Sequence, residues 1–180
     1  MNQAKRKLKI DLVDLESAFE HHDFSMEMDY FLDLETGEVV LVTGEARRLL
    51  EDVYEEYADP DTGEVDWPTI LPDLDIPEWQ KETLPVADGV EAGFGTRYIR
   101  IPQMESYEGY NDMVAFIATV SNPRLQNRLE RAIRGKGAFR HFKDVLLNYP
   151  QERERWFQFS NERMRQRVLD WLDEEGIEPI

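Results

Sequence analysis

The stretch 28–44, MDYFLDLETGEVVLVTG, alternates in side-chain character on both sides of a turn signal, and that alternation constrains the fold more than any other part of the chain. In an extended strand successive side chains point to opposite faces, so Tyr30, Leu32 and Leu34 share one face and Asp29, Phe31 and Asp33 the other. Glu35-Thr36-Gly37-Glu38 supplies the turn, with Gly37 free to take positive φ, and Val39 to Thr43 returns as the second strand. A β-hairpin over 28–43 must pack its apolar residues against something, and the remaining sequence offers chiefly helices.

Before the hairpin, Ile10 to Val13 reads as a short strand, and Asp14 as the cap of a helix to about His22 with Leu15, Ala18 and Phe19 on one face. After it, Thr43 or Gly44 opens a helix to about Tyr57, striped by Leu49, Leu50, Val53, Tyr54 and Tyr57. Residues 60–85 hold five of the nine prolines, which predicts broken structure with one short helix capped by Asp75 and carrying Pro77 and Trp79 in its first turns. Gly89, Gly93 and Gly95 read as a flexible lead-in to the strand TRYIRIP, ended by Pro102. Helices follow over Tyr107 to Val120, Pro123 to Arg134, Ala138 to Asn148 and Gln151 to about Glu175, the last stopped by Gly176. Phe139, Phe142 and Leu146 are expected to anchor the third of these, and Trp156, Phe157 and Phe159 to bury part of their rings with Met164, Val168 and Trp171.

Strands gather early and helices late. The expected class is therefore α+β, with a small antiparallel sheet containing the early hairpin, covered by helices, and a C-terminal helical block. A length of 180 residues without a long linker predicts a single domain over 1–180, residues 1–9 forming a flexible N-terminal segment. DLETGEV at 33–39 returns as DPDTGEV at 59–65, but the flanks differ, so the echo reads as two similar turns rather than a duplication. Asp59 and Asp61 start like a calcium loop, yet Gly63 stands where an acid is wanted.

Several chemistries are excluded or weakened. The chain has no cysteine, hence no thiolate nucleophile and no thiolate metal site. Its longest apolar run, Met113 to Ala118, is too short to cross a bilayer, and the basic residues at positions 5–9 precede an alternating segment rather than an apolar block, so a cytoplasmic protein is expected. Glu20, His21, His22 and Asp23 could suggest metal ligands, but adjacent histidines on a helix diverge by about 100° and no HExxH accompanies them, so neither metal nor cofactor is expected. GxSxG is absent, and the glycines at 89, 93 and 95 precede a strand, the reverse of a dinucleotide fingerprint. The acids Asp29, Asp33, Glu35 and Glu38 read as an exposed face rather than an acid/base pair.

The formal charge of −17 is unevenly spread, −19 over residues 1–120 and +2 over 121–180. Within 121–143 seven basic residues face a single acid, Glu130. Arg124, Arg128 and Arg131 fall within about 60° on a helical wheel, and the stripe leads to RGKGAFR, where Lys136 and Arg140 flank Gly137 at the start of the next helix. This is not a Walker A loop, since the following Ser or Thr and the preceding strand are both missing. Helix N-termini attract anions, which makes Arg124, Arg128, Arg131, Lys136, Gly137 and Arg140 the candidate anion-binding residues.

YFLDLETGEVV, RYIRIP and AIRGKGAFRHFKDVL followed by RWFQF, in this order, resemble the bacterial uncharacterised protein family 0158 over about residues 24–172, GKGAFRHFKD being the most specific part. One departure is His141, where the pattern would carry a second basic residue beside Arg140. The resemblance implies a soluble bacterial protein and brings no activity or catalytic residues with it. The expected function is a non-enzymatic interaction module that presents the 121–143 surface to a phosphate-bearing ligand, nucleic acid or acidic protein, with no membrane partner. The alternative is a hydrolase-like enzyme whose acidic residues converge only in the fold.

Overall fold

The computed structural model describes residues 5–20 and 27–180. The chain packs into two units, Lys5–Gln103 with Glu178–Ile180, and Met104–Ile177.

β1 (Arg6–Leu8) pairs with β5 (Ile177–Pro179), and within the first unit the Ile180 N–H donates to the Leu8 carbonyl at 3.0 Å. Helix α1 (Leu12–Glu20) begins where a strand was expected. The reason is local: the Asp11 carboxylate accepts from the N–H groups of Val13 and Asp14, so the cap lies three residues before Asp14 and the alternation of 10–13 is overridden. Leu15, Ala18 and Phe19 are its buried face, as their spacing predicts. The expected histidine end of this helix lies outside the described residues.

The hairpin is β2 (Asp29–Asp33) and β3 (Val39–Val42), paired antiparallel from Asp29 opposite Val42 to Leu32 opposite Val39. β4 (Tyr98–Arg100) adds antiparallel on the other side of β2, giving the order β3-β2-β4. A central strand covered on both faces buries consecutive residues, and Phe31, Leu32 and Asp33 are all buried. The fold is α+β, and the sheet is the small antiparallel one the alternation requires.

Thr43 caps α2 (Gly44–Tyr57) through its hydroxyl, which accepts from the Ala46 N–H at 3.1 Å. After α3 (Trp67–Ile70) and a 3-10 turn at Leu71–Asp73, α4 runs over Glu78–Gly93. The proline-rich segment is broken up to Pro77, as expected, but the helix that follows is a long one and runs on through Pro85. Pro85 sits inside α4, yet Leu84, Ala87 and Val90 recur at helical spacing and are buried with Phe31, Leu50, Val53 and Tyr98, so apolar burial outweighs the lost backbone bond. Asp75 does not cap the helix, which starts after Pro77. Gly89 and Gly93 lie within it, and Gly93 passes under the Tyr98 ring, where a β-carbon would stand 2.9 Å from Cδ2. Asp88 ties three elements together, accepting from Tyr54 Oη at 2.5 Å and Trp67 Nε1 at 2.7 Å.

The echo DLETGEV/DPDTGEV is one hydrogen-bonded turn built twice. Asp33 Oδ1 accepts from the N–H groups of Glu35 (2.8 Å) and Thr36 (3.3 Å), and Asp59 Oδ1 from those of Asp61 (2.9 Å) and Thr62 (2.8 Å). The Gly37 N–H closes onto the Asp33 carbonyl and the Gly63 N–H onto that of Asp59, with φ of +81° and +71° at the glycines. The Thr36 and Thr62 hydroxyls accept from the next N–H but one, at Glu38 and Glu64.

The second unit is helical. Helix α5 (Ser106–Ala118) starts with a reciprocal capping box between Glu105 and Glu108. α6 (Pro123–Ala132), α7 (Ala138–Leu146) and α8 (Pro150–Glu174) follow, close to the expected helices. Their common core joins Met113, Phe116, Ile117, Leu125, Leu129, Phe142, Leu146 and Trp156. The Trp156 ring meets Phe142 edge-on at 4.8 Å and Phe116 at 5.3 Å. Asp112, 3 % exposed, accepts from Arg163 Nε at 2.9 Å and Arg167 Nη2 at 2.7 Å, which fastens α8 to α5. Phe157 buries only part of its ring and lies beneath the Arg153 guanidinium, 42 % exposed.

Candidate functional site

The basic residues singled out by the sequence lie on one helix–turn–helix, α6–α7. Asn122 caps α6 by accepting from Arg124 N–H (3.0 Å) and Leu125 N–H (3.3 Å), and Leu125, Leu129 and Ile133 turn its apolar side into the core. The opposite side leaves Arg124, Arg128, Arg131 and Arg134 exposed. Gly135 and Gly137 both take left-handed conformations, with φ of +79° and +77°, so the chain reverses in a few residues and α7 begins at Ala138 with its first N–H groups uncapped by any side chain.

The side chains of this region are not equivalent. Arg128 is held against Tyr149, with Nη1 3.3 Å from the phenolic oxygen and the guanidinium 5.8 Å from the ring centroid. Arg140 shares its charge with Asp144 one turn along α7, Nε to Oδ2 being 3.9 Å. Arg124, Arg131, Arg134, Lys136 and Lys143 make no ion pair among the described residues. His141 lies over Gly137, its Cε1 within 3.2 Å of where a β-carbon would stand. Phe142 and Leu146 anchor α7 as expected, but Phe139 is 44 % exposed and lies beside Gly109. One step of 100° per residue separates it from the buried line of Ala138, Phe142 and Leu146.

The hairpin acids are engaged in structure. Asp33 is 3 % exposed rather than on an open face, and Arg97 grips it through Nε and Nη2, the latter at 2.7 Å. Burial alone would raise its pKa; the hydrogen bonds from Arg97 and from the Glu35 and Thr36 N–H groups outweigh that and hold the carboxyl below its ordinary value. Glu35 adds a 3.1 Å contact to Arg97, and Glu38 meets the Thr36 hydroxyl. Among the described residues no group of His, Asp and Glu is disposed to hold a metal ion.

Sequence reasoning missed Asp29 with Arg47 and Arg100. Arg47 Nη1 lies 2.6 Å from one Asp29 oxygen, and Arg100 Nη2 bonds the other. These three line a pocket with Phe31, Val42, Val90, Glu91 and Phe94. The available signal was the matching alternation of Asp29 and Phe31 in one strand with Tyr98 and Arg100 in another; only the register, Phe31 opposite Arg100, joins them.

No helix among the described residues is long and apolar enough to cross a membrane. No solved structure matches the chain. A UPF0158 protein of Pseudomonas aeruginosa is 26 % identical over 174 residues, covering 97 % of this chain and 88 % of the relative. A UPF0158 protein of Chlamydia trachomatis is 30 % identical over 77 residues, or 42 % of this chain and 23 % of that longer protein, and one of Chlamydia muridarum matches to the same extent. The profile of the uncharacterised protein family UPF0158 matches residues 69–180, which include α4, β4 and the whole basic helix pair; the chain belongs to this family.

Proposed function

We propose that the protein is a non-enzymatic interaction module that receives an anionic, phosphate-bearing partner on the exposed face of α6 and α7. The observation that carries this reading is the set of cations left without an ion pair among the described residues, Arg124, Arg131, Arg134, Lys136 and Lys143, in a chain of net charge −17. Had these side chains served internal pairing, an acidic protein would offer them abundant carboxylates. Arginine's planar fork suits phosphate oxygens, and the uncapped N–H groups at Ala138 act on the same sign of charge. A chain this acidic repels polyanions at a distance, so binding is short-ranged and steeply salt-dependent.

The test is titration of wild type and of an Arg124→Ala/Arg131→Ala/Lys136→Ala variant with RNA, DNA, polyphosphate and an acidic polypeptide at low and high salt. These three positions lose no ion pair among the described residues, so the variant keeps its melting temperature. Saturable binding of a phosphate-bearing ligand by wild type, reduced at least tenfold in the variant and by salt, is expected. Preference for the acidic polypeptide would move the partner class to protein. Equal behaviour of the two proteins would overturn the reading.

A further inference from the structure

The pocket that closes over Asp29 has the composition of a small-molecule site, and it lies wholly within the first unit. Its volume is about 390 Å³, at the small end of the range for ligand pockets. Phe31, Val42 and Val90 form a buried apolar floor, and each comes from a different rigid element, β2, β3 and α4. Phe94 lines the pocket, stands edge-on to Phe31 at 6.1 Å and is 60 % exposed.

At the rim, two guanidinium groups converge on one carboxylate. Asp29 is only 14 % exposed, and Arg47 and Arg100 each engage it through a single Nη. A guanidinium carries five N–H donors, and among the described residues neither arginine has another carboxylate. At this edge of the pocket two positive charges meet the one negative charge of Asp29, with unused donors already held in place by it. That arrangement accepts a second carboxylate with little reorganisation. Glu91 lines the same pocket with no ion pair among the described residues, and supplies a carboxylate where a ligand's ammonium or N–H can donate.

We infer that this pocket binds a small zwitterion with an apolar side chain, an aromatic or branched α-amino acid, with its carboxylate on Arg47 and Arg100, its ammonium on Glu91 and its side chain against Phe31 and Phe94. The charges balance: Arg47, Arg100, Asp29 and Glu91 sum to zero, as does the ligand. A phosphate dianion would leave Glu91 facing net negative charge, and a purely apolar ligand would strip water from Glu91 without replacing it. This site shares no residue with the basic α6–α7 surface, so either assignment stands or falls alone.

The experiment titrates the full chain, by calorimetry and by backbone chemical-shift changes, with phenylalanine, leucine, phenylalaninamide, N-acetylphenylalanine and phenyl phosphate. Free phenylalanine or leucine should saturate the protein and shift resonances of β2, β4 and the end of α4. The amide, lacking the carboxylate, should bind at least tenfold more weakly, and the acetylated form should also lose affinity. Phe94→Ala, at an exposed position, should weaken the amino acid at least fivefold with the melting temperature retained. Glu91→Gln should erase the preference for the free over the acetylated amino acid. No shift with either amino acid at millimolar concentration, tighter binding of phenyl phosphate, or indifference to both substitutions would overturn the assignment.

Discussion

Gly37 lies against the backbone of Lys9 so closely that a β-carbon on it would fall 2.0 Å from the Lys9 carbonyl oxygen. Gly63, at the same position of the twin turn and with the same sign of φ, has nothing within 4 Å of its missing β-carbon. The pair separates conformational strain from steric exclusion. Gly63→Ala should cost roughly 1–2 kcal/mol, the penalty of a side chain in the left-handed region. Gly37→Ala should cost about 3 kcal/mol or more, because backbone rather than a flexible side chain must move. Chemical denaturation of the two variants reads the difference directly; equal costs would mean the Lys9 segment yields freely.

Tyr54 donates to Asp88, and that hydrogen bond, with burial and the charge of Asp88, pushes the phenol up to about 12. The folded pKa is raised, so the contribution to stability is fully present below the unfolded value of 10 and is lost as pH climbs from there through about 12. Tyr54→Phe should be less stable than wild type at neutral pH, and its stability should change less than that of wild type across this alkaline window. Ultraviolet difference titration should show the missing tyrosine as the one ionising near 12.

Trp156 is 9 % exposed among Phe116, Phe142 and Phe159, whereas its neighbour Phe157 is 42 % exposed. Trp156→Ala should therefore cost about 3–5 kcal/mol. Phe157→Ala should stay within about 1 kcal/mol, since it loses mainly its contact with Arg153. Thermal unfolding followed by tryptophan-independent circular dichroism distinguishes them.

Asp112 is the single acceptor shared by Arg163 and Arg167. Asp112→Asn should cost about 3–5 kcal/mol by leaving the largely covered Arg167 with Glu108, at 3.3 Å, as its one carboxylate among the described residues. Arg163→Ala should cost far less, about 1 kcal/mol, because its half-exposed charge returns to water. A reversed ranking in denaturant melts would show that the pair on the exposed side holds α8 to α5.

At the glycine corner, Gly137→Ala should destabilise by roughly 1–2 kcal/mol through its positive φ, with the His141 ring giving way by a small rotation. Lys136→Ala/Arg140→Ala should change stability by less than about 1 kcal/mol, the second residue losing only an exposed pair with Asp144. Differential scanning calorimetry of the three proteins separates the backbone's role from that of the charges.

Much of the architecture was legible because its signals are local. Alternation around Glu35-Thr36-Gly37 specified the hairpin, and the repeat of Met113, Phe116, Ile117 and Val120 specified α5. Helix α4 was obscured by Pro85 and two glycines, whose local penalties are overcome only by packing of Leu84, Ala87 and Val90 against residues far away in sequence. The strand placed at 10–13 failed for the opposite reason, a side-chain cap at Asp11 that alternation does not register. The basic stripe of α6 could be read from a helical wheel. The Asp29 clamp could not, because Arg47 and Arg100 reach it from 18 and 71 residues away through strand register and the start of α2.

The twin turns are interchangeable in one direction only. Each closes its hydrogen bonds within its own six residues, so either sequence can build the loop. The Leu34 N–H, however, also donates to the Arg97 carbonyl at 2.7 Å, while the equivalent position of the second turn is Pro60, which has no N–H to give. Residues 33–38 can therefore stand in for 59–64 with every hydrogen bond of that turn retained, but the reverse graft would lose the bond from position 34 to Arg97 and leave the hairpin tip held by Asp33 alone.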